Sequence, residues 1–141
     1  MSSERPVYVL DSFAVLAYLQ GEKGMPRVKA ILAEGAQGLC RACLSLISLG
    51  EVLYITERKL STRKALQALA AVEQLPIEVL PASRDVVMAA AHIKALFPIS
   101  YADAFVVAAA EEEGGVIVTA DPEFRAVEGS SRIEWLPRGG P

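Results

Sequence analysis

Apolar residues recur along the chain in two patterns, short unbroken runs and longer stretches with helical spacing, and the two patterns alternate. The short runs are rich in Val, Ile and Leu, as is typical of buried strands, and we predict strands at residues 7–10, 38–43, 77–80, 116–118 and 133–136. The longer stretches have apolar positions three and four residues apart, which indicates amphipathic helices. We predict these helices at residues 13–20, 26–34, 45–60, 61–72, 86–96 and 101–110.

Single residues predict where these helices start and stop. Ser12 is expected to cap the first helix and Gly21 to end it, while Gly35 is expected to end the second. The later helices have predicted starts at Ser45, Ser61, Ser83 and Ser100. Strands alternate with helices, and no Asn-Gly or Asp-Gly hairpin signal joins two strands. We therefore predict an α/β fold with a mainly parallel central sheet flanked by helices.

The size and composition fit one globular domain. The chain has 141 residues, of which 52% are hydrophobic, so we expect one domain that covers residues 1–141. No apolar run reaches the roughly eighteen residues that a membrane span requires, and the first residues lack the pattern of a secretory signal. We expect a cytoplasmic protein without membrane contact.

Cys40 and Cys43 form a lone C-x-x-C motif. A zinc site would need two further Cys or His ligands, and His92 is the only histidine in the chain. Apolar neighbours raise the pKa of a thiol, so we expect both cysteines to be reduced and structural. A redox role is the alternative.

The charge of the chain does not by itself indicate nucleic-acid binding. The formal net charge is −3, whereas surfaces that bind phosphates are usually basic. A compact basic group lies at the junction of two predicted helices and consists of Arg58, Lys59, Arg63 and Lys64. Our interpretation is that this group is a solvated helix end, and contact with RNA is the alternative.

Two aspartates directly follow predicted buried strands. Asp11 comes after V-Y-V-L, and Asp121 comes after V-I-V-T-A. The carboxyl ends of parallel strands share one edge of the sheet, where ligand sites of α/β proteins occur. We therefore expect both carboxylates at that edge. The alternative for each aspartate is that it only caps the following helix or turn.

Two further acids lie in apolar helices. Glu51 stands within I-S-L-G-E-V-L-Y-I, so its charge needs an arginine, a proton or a metal ion as compensation, unless it points out through a polar gap. Asp103 follows Ser100 by three residues, which is the spacing of a capping box. Because the rest of that helix carries little charge, we expect its first turn to lie close to the sheet edge.

Four carboxylates gathered at one edge would require a cation between them, since each close pair repels by roughly 4 kcal/mol at an effective dielectric of 20. Oxygen ligands without Cys or His favour Mg²⁺ or Mn²⁺, and such ions serve phosphate chemistry. The candidate catalytic and metal-binding residues are Asp11, Glu51, Asp103 and Asp121. Ser12 and Thr119 are candidates to orient ligands or waters, with capping and strand-end hydrogen bonding as their alternatives.

Four segments of the chain resemble the acidic motifs of PIN-domain nucleases, especially those of VapC toxins. The segments are V-L-D-S-F-A-V-L-A-Y-L, S-L-G-E-V-L-Y-I, S-Y-A-D-A-F-V-V-A-A-A and V-T-A-D-P-E-F, and together they span nearly the whole chain. The resemblance implies a three-layer PIN-like fold. It also implies that the family's metal-binding acids match Asp11, Glu51, Asp103 and Asp121, and that Ser12 and Thr119 match its frequent hydroxyl neighbours.

The resemblance further implies an activity and partners. It implies a Mg²⁺- or Mn²⁺-dependent endoribonuclease that hydrolyses RNA phosphodiester bonds as the homodimeric toxin of a type II VapBC toxin–antitoxin pair. The expected inhibitor is a small antitoxin protein that lays a peptide across the active-site groove, commonly with a basic side chain. The C-x-x-C motif has no counterpart in the family pattern.

Other functional classes are weighed against this hypothesis. An aspartate-nucleophile phosphatase needs a second Asp two residues after Asp11, where Phe13 stands, and a receiver domain needs neighbouring acids near the first strand. Both are disfavoured, and acyl-phosphate labelling is expected to fail. A catalytically silent PIN-fold module that binds RNA or protein is the remaining alternative, which metal titration can discriminate.

Overall fold

The computed structural model describes residues 5–138, in which a five-stranded sheet forms the centre. The strands are β1 (Val7–Leu10), β2 (Arg41–Ser45), β3 (Glu78–Leu80), β4 (Val116–Thr119) and β5 (Ile133–Trp135). Their order in space is β3-β2-β1-β4-β5, and every neighbouring pair is parallel. The predicted α/β fold with a parallel central sheet is confirmed.

Helices cover both faces of this sheet. They are α1 (Ser12–Gln20), α2 (Met25–Ala36), α3 (Leu46–Lys59), α4 (Thr62–Gln74), α5 (Arg84–Leu96) and α6 (Tyr101–Glu113), and a 3₁₀ helix spans Pro122–Val127. Because side chains of a strand alternate between faces, Leu10 and Val118 pack with the α1–α4 side, whereas Val9 and Ile117 pack with α5 and α6. The result is a three-layer arrangement with a core on each side of the sheet.

The carboxyl end of β1 lies between the ends of β2 and β4. Leu10 is in register with Leu44 on one side and with Val118 on the other. The Asp11 N–H donates to the Val118 carbonyl at 3.3 Å and so continues the ladder by one residue. Asp11 therefore leaves the sheet at the centre of its carboxyl edge, and Asp121 follows the neighbouring strand.

The serine starts of four helices are confirmed by side-chain capping. Each of these hydroxyls accepts a backbone N–H from the first turn of its helix: Ser45, Ser61, Ser83 and Ser100. The prediction that Ser12 caps α1 is wrong. Asp11 is the extended residue before that helix, and its carboxylate accepts the Ala14 N–H, which makes it the cap.

The second helix and the second strand have different bounds from those predicted. α2 continues through Gly35 to Ala36, and the residue with left-handed backbone is Gly38, with φ of 77°. Since side chains disfavour that conformation, Gly38 rather than Gly35 makes the turn. The strand then begins at Arg41, because Arg41 is the residue in register with Val7. The 3₁₀ helix after β4 was not predicted.

Cys40 and Cys43 face opposite sides of the sheet. Cys40 belongs to the core beneath α1 and α2, and Cys43 belongs to the core beneath α5 and α6. Both are free thiols with exposures of only 2% and 0%, respectively. They share neither a bond nor a ligand site, which agrees with the expected structural role.

No single helix within residues 5–138 is both long and apolar enough to span a membrane; α5 and α6 reach that composition only as a pair, across a bend of 117°.

We predict that neither thiol reacts readily in the folded protein. Burial raises the pKa of Cys40 above its ordinary value and that of Cys43 to about 11, so the reactive thiolate is scarce at neutral pH. Ellman's reagent should label both thiols in guanidinium chloride and leave them almost unlabelled in native buffer. Fast labelling of either thiol in the native protein would contradict its buried position.

Candidate functional site

Asp11 is almost fully buried at the centre of the carboxyl edge, with 1% of its surface exposed. Its Oδ1 accepts the Ala14 N–H at 2.8 Å, and its Oδ2 accepts the Thr119 hydroxyl. Burial raises the pKa of Asp11 to about 7; the two hydrogen bonds oppose this rise, and the charges of Asp121 and Glu51 add to it. Helix capping is therefore present, but it occupies only one of the two oxygens.

Thr119 links Asp11 to Asp121. The buried Thr119 hydroxyl donates to the Asp11 carboxylate and accepts the Asp121 N–H at 2.9 Å. The Asp121 Oδ1 in turn accepts the Glu123 N–H at 2.9 Å and begins the 3₁₀ helix. Thr119 therefore has both of the roles that were considered as alternatives. It makes a hydrogen bond at the end of its strand, and it orients the carboxylate of Asp11.

Asp103 enters the same region from the first turn of α6. Its N–H donates to the Ser100 Oγ at 3.1 Å, but the expected capping box is not completed, because the Glu123 carboxylate accepts the Ser100 N–H instead. The Asp103 carboxylate is therefore available to the other acids, although only 7% of the residue is exposed. Burial, the hydrogen bond with Glu123 and the charges of Asp121, Glu123 and Asp11 together raise the pKa of Asp103 to about 8, and burial is the largest of these causes.

Glu51 reaches the site from α3 and is half-buried. Burial raises the pKa of Glu51; a hydrogen bond from the Ser12 side chain opposes the rise, and the charges of Asp121 and Glu123 add to it. The polar partner of this carboxylate is therefore a hydroxyl group. Ser12, which does not cap α1, supports a predicted site residue from the first position of that helix.

Glu123 is a fifth acid at this site that the sequence analysis did not identify. It lies in the first turn of the 3₁₀ helix, and hydrogen bonds from the Ser100 N–H and from Asp103 lower its pKa. Since the same contact raises the pKa of Asp103, Asp103 is the more readily protonated acid of this pair. The local signal was D-P-E, which indicates a helical turn with Pro122 in its first position and an acid beside it, but this pattern does not reveal the contact with Ser100.

The structure brings all four predicted acids together with this fifth one, and we call the group the acidic cluster: Asp11, Glu51, Asp103, Asp121 and Glu123. Their mutual charges are among the causes of the raised pKa values of Asp11, Glu51 and Asp103. Lys94 is a cation on the Glu123 side, where its charge helps lower that pKa. The Lys94 ammonium also donates to the Ile99 carbonyl at 2.7 Å.

The donor chemistry of the acidic cluster fits a hard divalent cation. Its members offer carboxylate oxygens, which Mg²⁺ and Mn²⁺ prefer over nitrogen or sulfur. Hydroxyl and backbone donors compensate their charges only in part, as the raised pKa values of Asp11 and Asp103 indicate. Within residues 5–138, no three His, Cys, Asp or Glu side chains lie close enough together to hold a metal ion as they stand.

The fold and the site together define a class of α/β protein, with a parallel sheet and carboxylates gathered at its carboxyl edge. The chain belongs to the PIN domain family, whose model matches residues 8–130. The resemblance noted from the four acidic motifs is thereby confirmed at the level of the family. No curated protein matches the chain at a significant level.

Several solved structures share this fold at low sequence identity. VapBC2 from Rickettsia felis, bound to a DNA fragment from its promoter, has a TM-score of 0.73 and 14% identity, covering 93% of this chain and 99% of that one. VapC20 from Mycobacterium tuberculosis, a toxin that cleaves the sarcin–ricin loop, has a TM-score of 0.71 and 18% identity, with coverages of 92% and 99%. DNA-bound VapBC from Salmonella typhimurium has a TM-score of 0.71 and 22% identity, with coverages of 92% and 97%.

We predict that the metal-free protein loses stability as the pH rises. The folded-state pKa values of Asp11 and Asp103 are about 7 and about 8, above the roughly 3.9 of an unfolded Asp. The folded state therefore binds more protons between these limits, and its stability falls as the pH rises through the folded pKa values. Thermal melting in EDTA should give a lower Tm at about pH 8.5 than at about pH 5.

Asp103→Asn should raise the Tm at the higher pH and flatten this pH dependence, because the amide keeps a hydrogen bond to Glu123 without adding charge. Since one pKa unit corresponds to about 1.4 kcal/mol, relief of even part of the shift gives a gain of a few degrees. Asp85→Asn, on the exposed first turn of α5, is the matched control. It should slightly lower Tm, because Asp85 favours a helix start. Equal melting of wild type and Asp103→Asn at both pH values would refute the electrostatic strain.

Proposed function

We propose that this chain is a Mg²⁺- or Mn²⁺-dependent endoribonuclease that hydrolyses RNA phosphodiester bonds, and that it acts as the toxin of a type II toxin–antitoxin pair. The observation that carries the proposal is the acidic cluster. Acids from four separate segments of the sequence lie together at the carboxyl edge of the sheet in a chain of the PIN domain family. Membership of the family alone would not require these particular acids.

The proposed metal ligands are Asp11, Asp103 and Asp121, directly or through water, with Glu51 supporting the site. When bound, Mg²⁺ or Mn²⁺ supplies an activated water and neutralises charge on phosphate oxygens. The protein positions these ligand carboxylates by hydrogen bonds from hydroxyl groups and backbone N–H groups.

Hydroxyl groups contact two carboxylates of the proposed site. Thr119 donates to one oxygen of Asp11 while the Ala14 N–H donates to the other, so the orientation of this carboxylate is set from both sides. Glu51, which supports the site, has a single hydroxyl partner, Ser12. Such partners of ligand groups typically contribute 10–100-fold to metal affinity or activity.

The pKa of Asp103 is raised to about 8, so this carboxyl is mainly protonated near neutral pH in the metal-free protein. Carboxylates bind a cation in their ionised form, so loading of the site releases this proton. The proton and the cation thus compete for the same place, and affinity for the metal rises as the pH increases.

The biological part of the proposal rests on what similar proteins are. VapC20 is described as a toxin that cleaves the sarcin–ricin loop, and another similar structure is a toxin–antitoxin complex from Klebsiella pneumoniae. By analogy we assign this chain an RNA substrate and a small antitoxin partner, and we retain the homodimeric state and the cytoplasmic location as proposals from the sequence. An acidic cluster also suits an antitoxin that inserts a basic side chain, for the same electrostatic reason that it suits a cation.

Replacing Asp11 or Asp103 by Asn should abolish Mg²⁺-dependent cleavage of RNA while the fold stays intact. The loss should exceed the roughly 10–100-fold typical of groups that only orient ligands, because these carboxylates are proposed to contact the cation. Cleavage rates on a mixed RNA substrate measure this effect, and circular dichroism checks the fold. Asp85→Asn should retain full activity, and persistent cleavage by both cluster variants would refute the site assignment.

Mn²⁺ should stabilise the wild-type protein against heat. A ligand that binds only the folded state at a hundredfold excess over its Kd contributes about 2.7 kcal/mol, which raises Tm by several degrees. The Asp11→Asn and Asp103→Asn variants should show little of this shift, whereas Asp85→Asn should match wild type. If wild type neither gains stability from Mn²⁺ nor cleaves RNA, the catalytically silent binding module replaces the enzyme as the best hypothesis.

A further inference from the structure

A groove with a cavity volume of about 590 Å³ adjoins the acidic cluster. Asp121 belongs both to the cluster and to the lining of the groove, so the two are continuous. The other walls are the start of α1, the turn between α1 and α2, and the segment from Leu136 to Arg138. Its volume falls within the range of about 300–1,000 Å³ that small-ligand sites have.

Close packing fixes two walls of this groove against each other. A Cβ placed on Gly24, in the turn between α1 and α2, would lie 3.2 Å from the Leu136 side chain. Leu136 is itself buried, with 5% of its surface exposed. The turn and the C-terminal segment are therefore packed against each other at a fixed distance. The groove is preformed in the protein without a ligand.

Phe13 presents an aromatic ring to this groove. The residue lies in the first turn of α1, two positions after Asp11, and 50% of its surface is exposed. Phe105 and Phe124 are buried, with 3% and 0% exposure, so Phe13 contrasts with aromatic residues that serve the core. An exposed ring beside a phosphate-cleaving site is suited to stack on a nucleobase.

Two cations line the same groove, Lys23 and Arg138. Within the part of the chain that the structure describes, neither takes part in an ion pair. Glu22 and Asp121 also line the groove, so its own acidic and basic side chains balance in charge. A divalent cation on Asp121 shifts that balance toward binding a polyanion.

We propose that this groove seats the RNA strand on one side of the cleaved bond, with Phe13 stacked on an unpaired base and Lys23 and Arg138 on backbone phosphates. The inference rests on the proposed function and extends it to the residues that position the RNA strand. Bases in a duplex are already stacked on one another, so a base reaches Phe13 only from a loop, bulge or single strand. Phe13, Lys23 and Arg138 are therefore the groove residues that position the strand.

The stacking contact is tested by cleavage kinetics of the full chain on single-stranded RNA. Phe13→Leu keeps an apolar side chain but removes the ring, and KM should rise by about 5- to 100-fold, as expected for loss of one base–aromatic contact, with kcat nearly unchanged. Phe13→Tyr should restore KM. An oligonucleotide with one abasic position should weaken the wild type at the stacked position and cause no further loss in Phe13→Leu.

The phosphate contacts are tested by the double variant Lys23→Ala with Arg138→Ala. Its KM should rise, and the slope of log affinity against log salt should fall by about 1.4, at roughly 0.7 for each phosphate contact on a single strand. Lys59→Ala with Arg63→Ala is the matched control, since it removes the same two types of charge from exposed positions outside the groove. This control should leave KM and the salt slope unchanged.

The outcomes separate this inference from the proposed function. Absence of any RNA cleavage by wild type with Mn²⁺ overturns the proposed function and the inference together. An active wild type whose groove variants keep the same KM overturns the inference alone. If the groove variants keep the same KM for RNA but lose binding to a small protein that co-purifies with the wild-type chain from its native host, the groove binds a peptide, which also overturns the inference.

Discussion

The buried carboxylate of Asp11 is the constraint on which the site depends. The parallel sheet places β1 between β2 and β4, and α1 begins directly after it, so the side chain that follows Leu10 has almost no contact with solvent. An ionised carboxylate in such surroundings loses several kcal/mol of solvation. Hydrogen bonds from Thr119 and Ala14 offset part of this cost. A proton or a cation has to supply the remainder, and that requirement connects the fold to its chemistry.

Helix starts supply a second, weaker compensation. Asp11 caps α1, Asp121 caps the 3₁₀ helix, and Asp103 lies in the first turn of α6. An α-helix start carries roughly half a positive charge in its unpaired N–H groups, so both α-helices favour carboxylates at these points. Yet burial still raises the pKa of Asp11 and Asp103. The helix starts therefore bring the acids together without neutralising their charges. The repulsion between the carboxylates remains until a proton or a cation binds.

Local patterns in the sequence were sufficient to predict the acids but not their partners. Asp11 and Asp121 could be placed because each follows an apolar run, and the parallel arrangement of those runs followed from their alternation with helices. Glu123 could not be placed, because its role depends on the Ser100 N–H, which is 23 positions away in the sequence. That contact also explains why the capping box expected for Asp103 does not form.

Boundaries set by glycine show the same distinction between local and long-range causes. Gly21 ends α1 as predicted, and its left-handed backbone, with φ of 67°, is a local property of the helix end. Gly35 has the same composition signal but lies inside α2, where the nearest atom to a Cβ built on it would be the Pro76 carbonyl oxygen, at 3.6 Å. Gly35 therefore packs beside Pro76, which is distant in the sequence. No local pattern around Gly35 reveals this contact.

The uneven distribution of charge resolves the conflict between a net charge of −3 and a nucleic-acid substrate. Five of the acids stand in one cluster, so the negative charge is concentrated where the proposed cation binds and does not cover the whole surface. Without that cation, the cluster repels a phosphate that Lys23 and Arg138 would otherwise attract. With it, part of this negative charge is neutralised beside Asp121, so a phosphate meets less repulsion where the groove adjoins the cluster. Under the proposed function, metal binding therefore strengthens RNA binding along the groove, because the loaded site lowers the repulsion at Asp121.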